Sequence, residues 1–200
     1  RVLISDQSGR SNVLMKAQKY GLNLDNDDPR MLMIVDELKE LENRGYQYEA
    51  AEASFELLMR RAMGLSRQYF ELEAFRVMNY KYDMDKGSLT EATIRLYVDG
   101  SEVHTAAMGE GPVNALDKAL RKALTRFYPS LEDVELTDYK VRVLTGEHGT
   151  GAKVRVLVES RDLEESWGTV GVSVNIIEAS WQALVESINY KLMKDEKSGS

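Results

Sequence analysis

The spacing of apolar residues changes character near residue 75. Before that point they recur every three or four positions, the period of a helix packed along one face. After it, stretches that alternate residue by residue are interleaved with two further helical stripes. In the first part, Ser8-Gly9-Arg10-Ser11-Asn12 reads as a turn feeding a helix over 11–20, with Gly21 as its stop. Asp27-Asp28-Pro29 opens a second helix, with acids at the positive end of the dipole. It carries Met31, Ile34, Val35, Leu38 and Leu41 on one side and ends near Gly45. A third helix is predicted over 48–63, closing at Gly64. These elements define a helical linker subdomain over 1–65. Residues 66–74, with Tyr69, Phe70 and Leu72, form a packed connector.

From residue 75 the chain repeats itself. Asn79-Tyr80-Lys81-Tyr82 matches Asp138-Tyr139-Lys140-Val141, with Tyr139 lying 59 residues after Tyr80 (139 − 80). Ala92-Thr93-Ile94-Arg95-Leu96-Tyr97-Val98 matches Ala152-Lys153-Val154-Arg155-Val156-Leu157-Val158, displaced by 60 (155 − 95). The displacement reaches 61 at Asn114 and Asn175 (175 − 114). Each Asn precedes an acid by three residues, Asp117 or Glu178, which reads as a pair of N-caps. Each unit has three strands: 75–83, the alternating run through Ile94, Leu96 and Val98, and 103–108; then 134–144, the run through Val154, Val156 and Val158, and 167–174. Asp99-Gly100 is a hairpin signal between strands. A helix closes each unit, with stripes Val113, Leu116, Leu120, Ala123, Leu124, Phe127 and Ile177, Trp181, Leu184, Val185, Ile188, Leu192. The predicted class is α+β: two β-β-β-α repeats (75–129 and 134–194) forming one domain over 75–194, preceded by the helical subdomain. A polar tail over 195–200 is expected to fray.

Charge and composition narrow the function. With 26 basic against 33 acidic residues the net charge is −7, which argues against nucleic acid as partner. Against single-strand stacking by Tyr80, Tyr82 and Tyr97 the same balance applies. No apolar run reaches the roughly 20 residues of a membrane span. The chain has no cysteine, so it has neither a disulfide framework nor a thiolate site, and the default location is the cytoplasm. His104 lies in a strand and His148 in a glycine-rich loop, neither with a second ligand at metal spacing. Thr145-Gly146-Glu147-His148-Gly149-Thr150-Gly151-Ala152-Lys153 departs from a phosphate loop, since the Lys does not follow a Gly directly; it reads as a hairpin loop. Trp167 and Trp181 fit core positions, and the many acids fit solvated faces. The corner Gly109-Glu110-Gly111 is open to two readings, a tight strand-to-helix turn or a cradle for an anion.

That corner carries a resemblance. Gly109-Glu110-Gly111-Pro112-Val113-Asn114-Ala115-Leu116, the paired units, and Trp167-Gly168-Thr169-Val170-Gly171-Val172-Ser173 through Ile176-Ile177-Glu178-Ala179-Ser180 resemble the C-terminal regulatory domain of the 2-isopropylmalate, homocitrate and citramalate synthase family. Ser8-Gly9-Arg10-Ser11-Asn12 resembles the linker of the citramalate branch; Ser5-Asp6-Gln7 stands where the isopropylmalate branch carries a histidine-bearing segment. The resemblance implies a parent acyltransferase of branched-chain amino-acid biosynthesis, in which a TIM barrel with a divalent metal condenses acetyl-CoA with a 2-oxo acid. The chain opens on Arg1 rather than Met and is read as a piece of that parent, without the barrel, without a cofactor and without activity of its own.

By the same resemblance the domain forms a homodimer and binds the pathway's end product, isoleucine or leucine, for feedback inhibition. Carried onto this sequence, the effector site takes in Gly111, Val113 and Asn114 at the corner and Leu136, Tyr139 and Val143 on the next strand, with Val154, Val156 and Val174 nearby. Two other classes stay open: a dimerisation module without an effector, and an independent enzyme, for which no catalytic constellation is found.

Overall fold

A computed structural model describes residues 6–81, 87–145 and 151–199, with side chains from Gly9 onward. Three helices, α1 (Asp6–Lys19), α2 (Pro29–Arg44) and α3 (Glu52–Ala62), precede two three-stranded antiparallel sheets. Sheet 1 is β1 (Glu71–Tyr80), β2 (Leu89–Val98) and β3 (Ser101–Gly109), followed by α4 (Pro112–Leu124). A 3₁₀ turn (Pro129–Asp133) leads to sheet 2: β4 (Glu135–Leu144), β5 (Lys153–Arg161) and β6 (Ser166–Ser173), closed by α5 (Ile176–Ser198). The α+β class and the paired β-β-β-α units are as the alternation predicts.

The local signals act as expected where a single residue decides. Asp28 caps α2 by accepting the Arg30 amide at 2.9 Å, and Gly45 ends it at φ +108°. Asp99 and Gly100 take φ +49° and +78°, the left-handed pair that a two-residue hairpin needs. Other boundaries move. α1 begins at Asp6, so Gly9–Asn12 is helical rather than a turn, and α3 starts at Glu52, not 48. Glu71–Ala74 belong to β1 rather than to the connector. Tyr82 and Asp83 of the predicted first strand, His148 and the core of the 145–153 loop fall outside the described residues.

The duplication is real, but its register differs from the sequence matches. Glu71 pairs with Tyr97 and Glu135 with Arg161, so both strands are displaced by 64 (135 − 71 and 161 − 97). Both first strands carry a bulge at the same place, between Leu72 and Ala74 and between Leu136 and Asp138. The equivalent of Tyr139 is therefore Phe75, not Tyr80. The same displacement relates the bonds that seat the helices: Thr105 Oγ1 donates to the Ala119 carbonyl at 2.9 Å, and Thr169 Oγ1 to that of Ala183 at 2.7 Å. One continuous core joins the units, with Ile94, Leu96, Leu116 and Leu120 from the first and Val156, Val158, Trp181 and Leu184 from the second. Phe75 of β1 stacks on Trp181 of α5 at 5.1 Å between centroids, so α5 is also packed against the other unit's sheet.

The linker subdomain has its own core around Met31, Ile34, Leu38, Phe55 and Met59, and it docks on sheet 2. Ala51, with Tyr46 and Tyr48 beside it, covers Val170 and Val172 on the face away from α5. Ser54 Oγ accepts the Val170 amide at 3.1 Å and Gln182 Oε1 the Val172 amide at 3.0 Å, so the edge of β6 is closed by side chains. The backbone approach is so close that a Cβ on Gly168 would lie 2.2 Å from the Ala50 carbonyl oxygen.

The C-terminal stretch is also held. Asp162, at the turn after β5, is buried; its carboxylate accepts a hydrogen bond from Lys191 Nζ at 2.8 Å and forms an ion pair with Lys194 Nζ at 2.5 Å. It also accepts the amides of Glu164 and Glu165, both at 2.9 Å. Glu196 accepts from Tyr69 Oη at 2.5 Å and pairs with Arg67 at 3.2 Å. These contacts carry α5 through Ser198, so residues 195–198 are helical rather than the frayed tail expected.

Two outcomes follow. Gly168→Ala is expected to cost about 1–3 kcal/mol in urea unfolding, because the linker backbone must move off β6; an unchanged midpoint would contradict this docking. Burial alone would raise the Asp162 pKa, but the Lys191, Lys194 and amide hydrogen bonds outweigh it and hold the carboxyl well below its ordinary range. A depressed carboxyl stabilises the fold above the unfolded pKa of about 4, and loses that contribution as pH falls towards the folded value. Asp162→Asn should therefore cost about 3 kcal/mol at pH 7, with the gap to wild type narrowing below about pH 4.

Candidate functional site

Two helix entries stand at equivalent corners and differ in how their amides are used. At α5, Asn175 is the N-cap: its Oδ1 accepts the Ile177 amide at 2.8 Å and the Glu178 amide at 3.3 Å. Glu178 does not complete a capping box, since the Asn175 amide donates instead to Ser173 Oγ at 3.2 Å. At α4 the cap is Gly111, which has no side chain to offer, and Pro112 is the first helical residue. Asn114 is thus the third residue of α4, not its cap; its Oδ1 turns back to the Glu110 amide at 3.2 Å. Its expected partner Asp117 is buried and pairs with Arg121 at 2.6 Å. The amides of Val113 and Asn114 consequently have no protein acceptor among the described residues. The glycine that this corner requires is Gly109, where a Cβ would sit 2.5 Å from the Ala115 nitrogen; Gly111 is in open space with an extended backbone.

The direction of α4 decides what lies beside that tip. Arg121, in its third turn, donates to the Val134 carbonyl at 2.5 Å, just ahead of β4. Tyr128, beyond the C-terminus of α4, donates to the Tyr69 carbonyl at 2.8 Å, and Tyr69 also binds Glu196 of α5. The two helices therefore end together, and α4 runs against β4. Its N-terminal tip is therefore at the same end of the molecule as the end of β4 that carries Val141 and Val143.

That end of sheet 2 is apolar and bare. On the face that α5 covers, cross-strand rows run Tyr139–Val158–Thr169, Val141–Val156–Gly171 and Val143–Val154–Ser173. α5 is pressed onto β6, where a Cβ on Gly171 would lie 2.1 Å from the Ala179 carbonyl. It covers β5 and β6 and leaves β4 open: Val156 is fully buried, whereas Val143 is 61% exposed. Val141, Val174 and Ile176 are exposed around it. The equivalent row in sheet 1 is polar, Asn79–Thr90–Gly109, with Thr90 Oγ1 donating to Asn79 Oδ1 at 2.8 Å.

Of the sequence-derived residues, Val113 and Val156 are buried in the shared core, and Leu136, Tyr139 and Val154 pack against it. The bulge lets Leu136 and Tyr139 share a face despite their odd spacing. Tyr139 Oη lies 3.2 Å from Ser180 Oγ. Val143 and Val174 are on the bare surface, and Gly111 and Asn114 at the α4 tip. Val141, Ile176 and Ser180 join this neighbourhood without having been singled out. Val141 was readable from the Tyr139-x-Val141-x-Val143 alternation; Ser180 emerges only from the turn of α5 over β4. His104 is exposed on β3. Among the described residues no group of three His, Cys, Asp or Glu could hold a metal ion, and no helix is long and apolar enough to cross a membrane.

A duplicated β-β-β-α module with a helical linker on one unit, and an apolar surface at the same end as an open helix tip, defines a small α+β domain. Residues 49–192 match the LeuA allosteric (dimerisation) domain, and the chain belongs to that family. It is 57% identical over 98% of its length to the (R)-citramalate synthase of Geobacter sulfurreducens and 53% identical over all of it to that of Aquifex aeolicus. The 2-isopropylmalate synthase of Aquifex aeolicus is 26% identical over 98%. The chain spans 35–38% of the length of these relatives.

The caps can be separated by mutation. Asn175→Ala should cost about 1 kcal/mol in urea unfolding, the ordinary worth of an N-cap. Asn114→Ala should cost less than half of that, because its one bond is exposed and α4 is not capped by it. A larger loss at Asn114 than at Asn175 would overturn this assignment.

Proposed function

We propose that this chain is the effector-sensing and dimer-forming region of an (R)-citramalate synthase, and that isoleucine is its feedback inhibitor. The reading rests on an open α4 tip and a bare apolar strand end at the same end of the molecule. A branched aliphatic amino acid matches both parts. Its carboxylate takes the unclaimed amides of Val113 and Asn114, where the helix dipole favours an anion. Its side chain covers Tyr139, Val141 and Val143, and burying such a group is worth about 1.5–3 kcal/mol. The Asn114 carbonyl and the corner carbonyls offer acceptors for the ammonium. The far higher identity to citramalate synthases than to the isopropylmalate synthase favours isoleucine over leucine.

In this reading the acyl transfer, with its divalent metal and acetyl-CoA, is carried by chain outside these 200 residues, in the cytoplasm. Inhibition requires the effector to bind one arrangement of domains better than the other. The linker is placed to transmit that choice, since it is bonded to β6 and α5 of the sensing unit.

Calorimetric titration with isoleucine, leucine and valine tests the proposal. Saturable binding with isoleucine preferred is expected. Tyr139→Ala should weaken it about tenfold or more while leaving the dimer and its circular dichroism intact. A folded dimer that binds none of the three would leave only the dimerisation module.

A further inference from the structure

A second site lies on the opposite face of sheet 2, where the linker meets the β4–β5 end. The groove, about 500 Å³, is lined by Arg44 and Gly45 at the end of α2, by Arg142 on β4, and by Lys153 and Arg155 on β5. Four cations line it, and no carboxylate does so among the described residues, although the chain as a whole carries −7. Two of the cations have a structural task. Arg155 Nε donates to the Gly45 carbonyl at 2.8 Å and a guanidinium NH to Gln47 Oε1 at 3.1 Å, and Lys153 Nζ reaches the Arg44 carbonyl at 3.4 Å. They tie the linker to the sheet through neutral acceptors, which leave the charge uncompensated.

The other two have no such task. Arg142 and Arg44 have neither an ion pair nor a hydrogen-bonded side-chain partner among the described residues. Arg142 stands directly across the ladder from Arg155, and like charges so placed repel. Burial and the neighbouring Arg142 both push the Arg155 guanidinium below its ordinary pKa. An arrangement that costs stability in the free protein, and is relieved by an anion, is the signature of a site rather than of a scaffold.

We propose that this groove binds a small polyanion carrying two or more phosphate groups, clamped between Arg44 of the linker and Arg142 of sheet 2. Guanidinium groups offer paired donors that match phosphate oxygens, and the groove is large enough for a phosphate chain with an attached group. A ligand there would strengthen the seam between linker and sensing unit. The inference does not rest on the effector reading: Val143 borders both places, but Arg142, Lys153 and Arg155 lie on the face of the sheet away from α5.

The test is titration of the chain with inorganic pyrophosphate and with ADP at constant ionic strength, by calorimetry and by thermal shift. Saturable binding is expected, weakened about tenfold or more in both Arg142→Gln and Arg44→Gln. Saturation by both ligands assigns the phosphate chain alone, and saturation by ADP only assigns a nucleotide phosphoester; either upholds the site. Without ligand, Arg142→Gln should melt no lower than wild type, because it removes a repelling charge, and its isoleucine titration should match wild type. Failure of both ligands to saturate, an equal response to sodium chloride, unchanged affinity in Arg142→Gln, or a ligand-free melting point lowered by that substitution would each overturn the proposal.

Discussion

The structure depends on seating two helices flat against two sheets at backbone contact. In each unit a threonine on the third strand donates to a helix carbonyl one alanine wide, Thr105 to Ala119 and Thr169 to Ala183. Such an approach demands small residues where the surfaces touch, and Ala115, Ala119, Ala179 and Ala183 are all fully buried there. Because a helix pressed onto one edge of a three-stranded sheet cannot cover the other edge, each unit leaves its first strand needing a partner. β1 finds Trp181 of the other unit. The far end of β4 finds nothing within the chain, and this is where the exposed valines collect. The candidate site is thus a geometric remainder of the way the helices are seated.

The two units share this frame but not their surroundings. The linker lies on sheet 2 alone, closing the β6 edge with Ser54 and contacting α5 through Tyr46 and Gln182. Asp162, Lys191 and Lys194 lock the far end of the same unit. The second unit is therefore held on both sides, which suits an element whose small shifts have to be passed on rather than absorbed.

Much of this was legible along the chain. Helical stripes, the Asp99-Gly100 hairpin, the Asp28 cap and the duplication each rest on local chemistry that acts the same way in any context. The register of the duplication was not. The match of Tyr80 with Tyr139 is short by five residues, an odd number, so it places Tyr80 on the face opposite to that of Tyr139. Bulges and loops of unequal composition hide the constant displacement of 64, which only the ladders reveal. The grouping of Leu136 with Tyr139 and Val143 followed from resemblance, and its physical cause, the shared bulge, is invisible in composition. The long α5 was underread because its last turns are stabilised by residues far away in sequence, Tyr69, Arg67 and Asp162.

Divergence between the two helix entries is the feature that bears most on function. A duplicated fold with no task beyond association has no reason to treat equivalent corners differently. Here one corner satisfies its amides with its own Asn175, while the other places Gly111 and Pro112 where a cap would be and turns Asn114 away. Placing Gly111 rather than a side-chain cap at α4 forgoes a few tenths of a kcal/mol of stability. The neighbouring strand end meanwhile keeps valines in water, which forgoes more. Both costs fall at one end of the molecule, and both would be removed by the guest proposed above, with its anionic head and branched apolar tail. In the equivalent place on sheet 1, Asn79 and Thr90 satisfy each other.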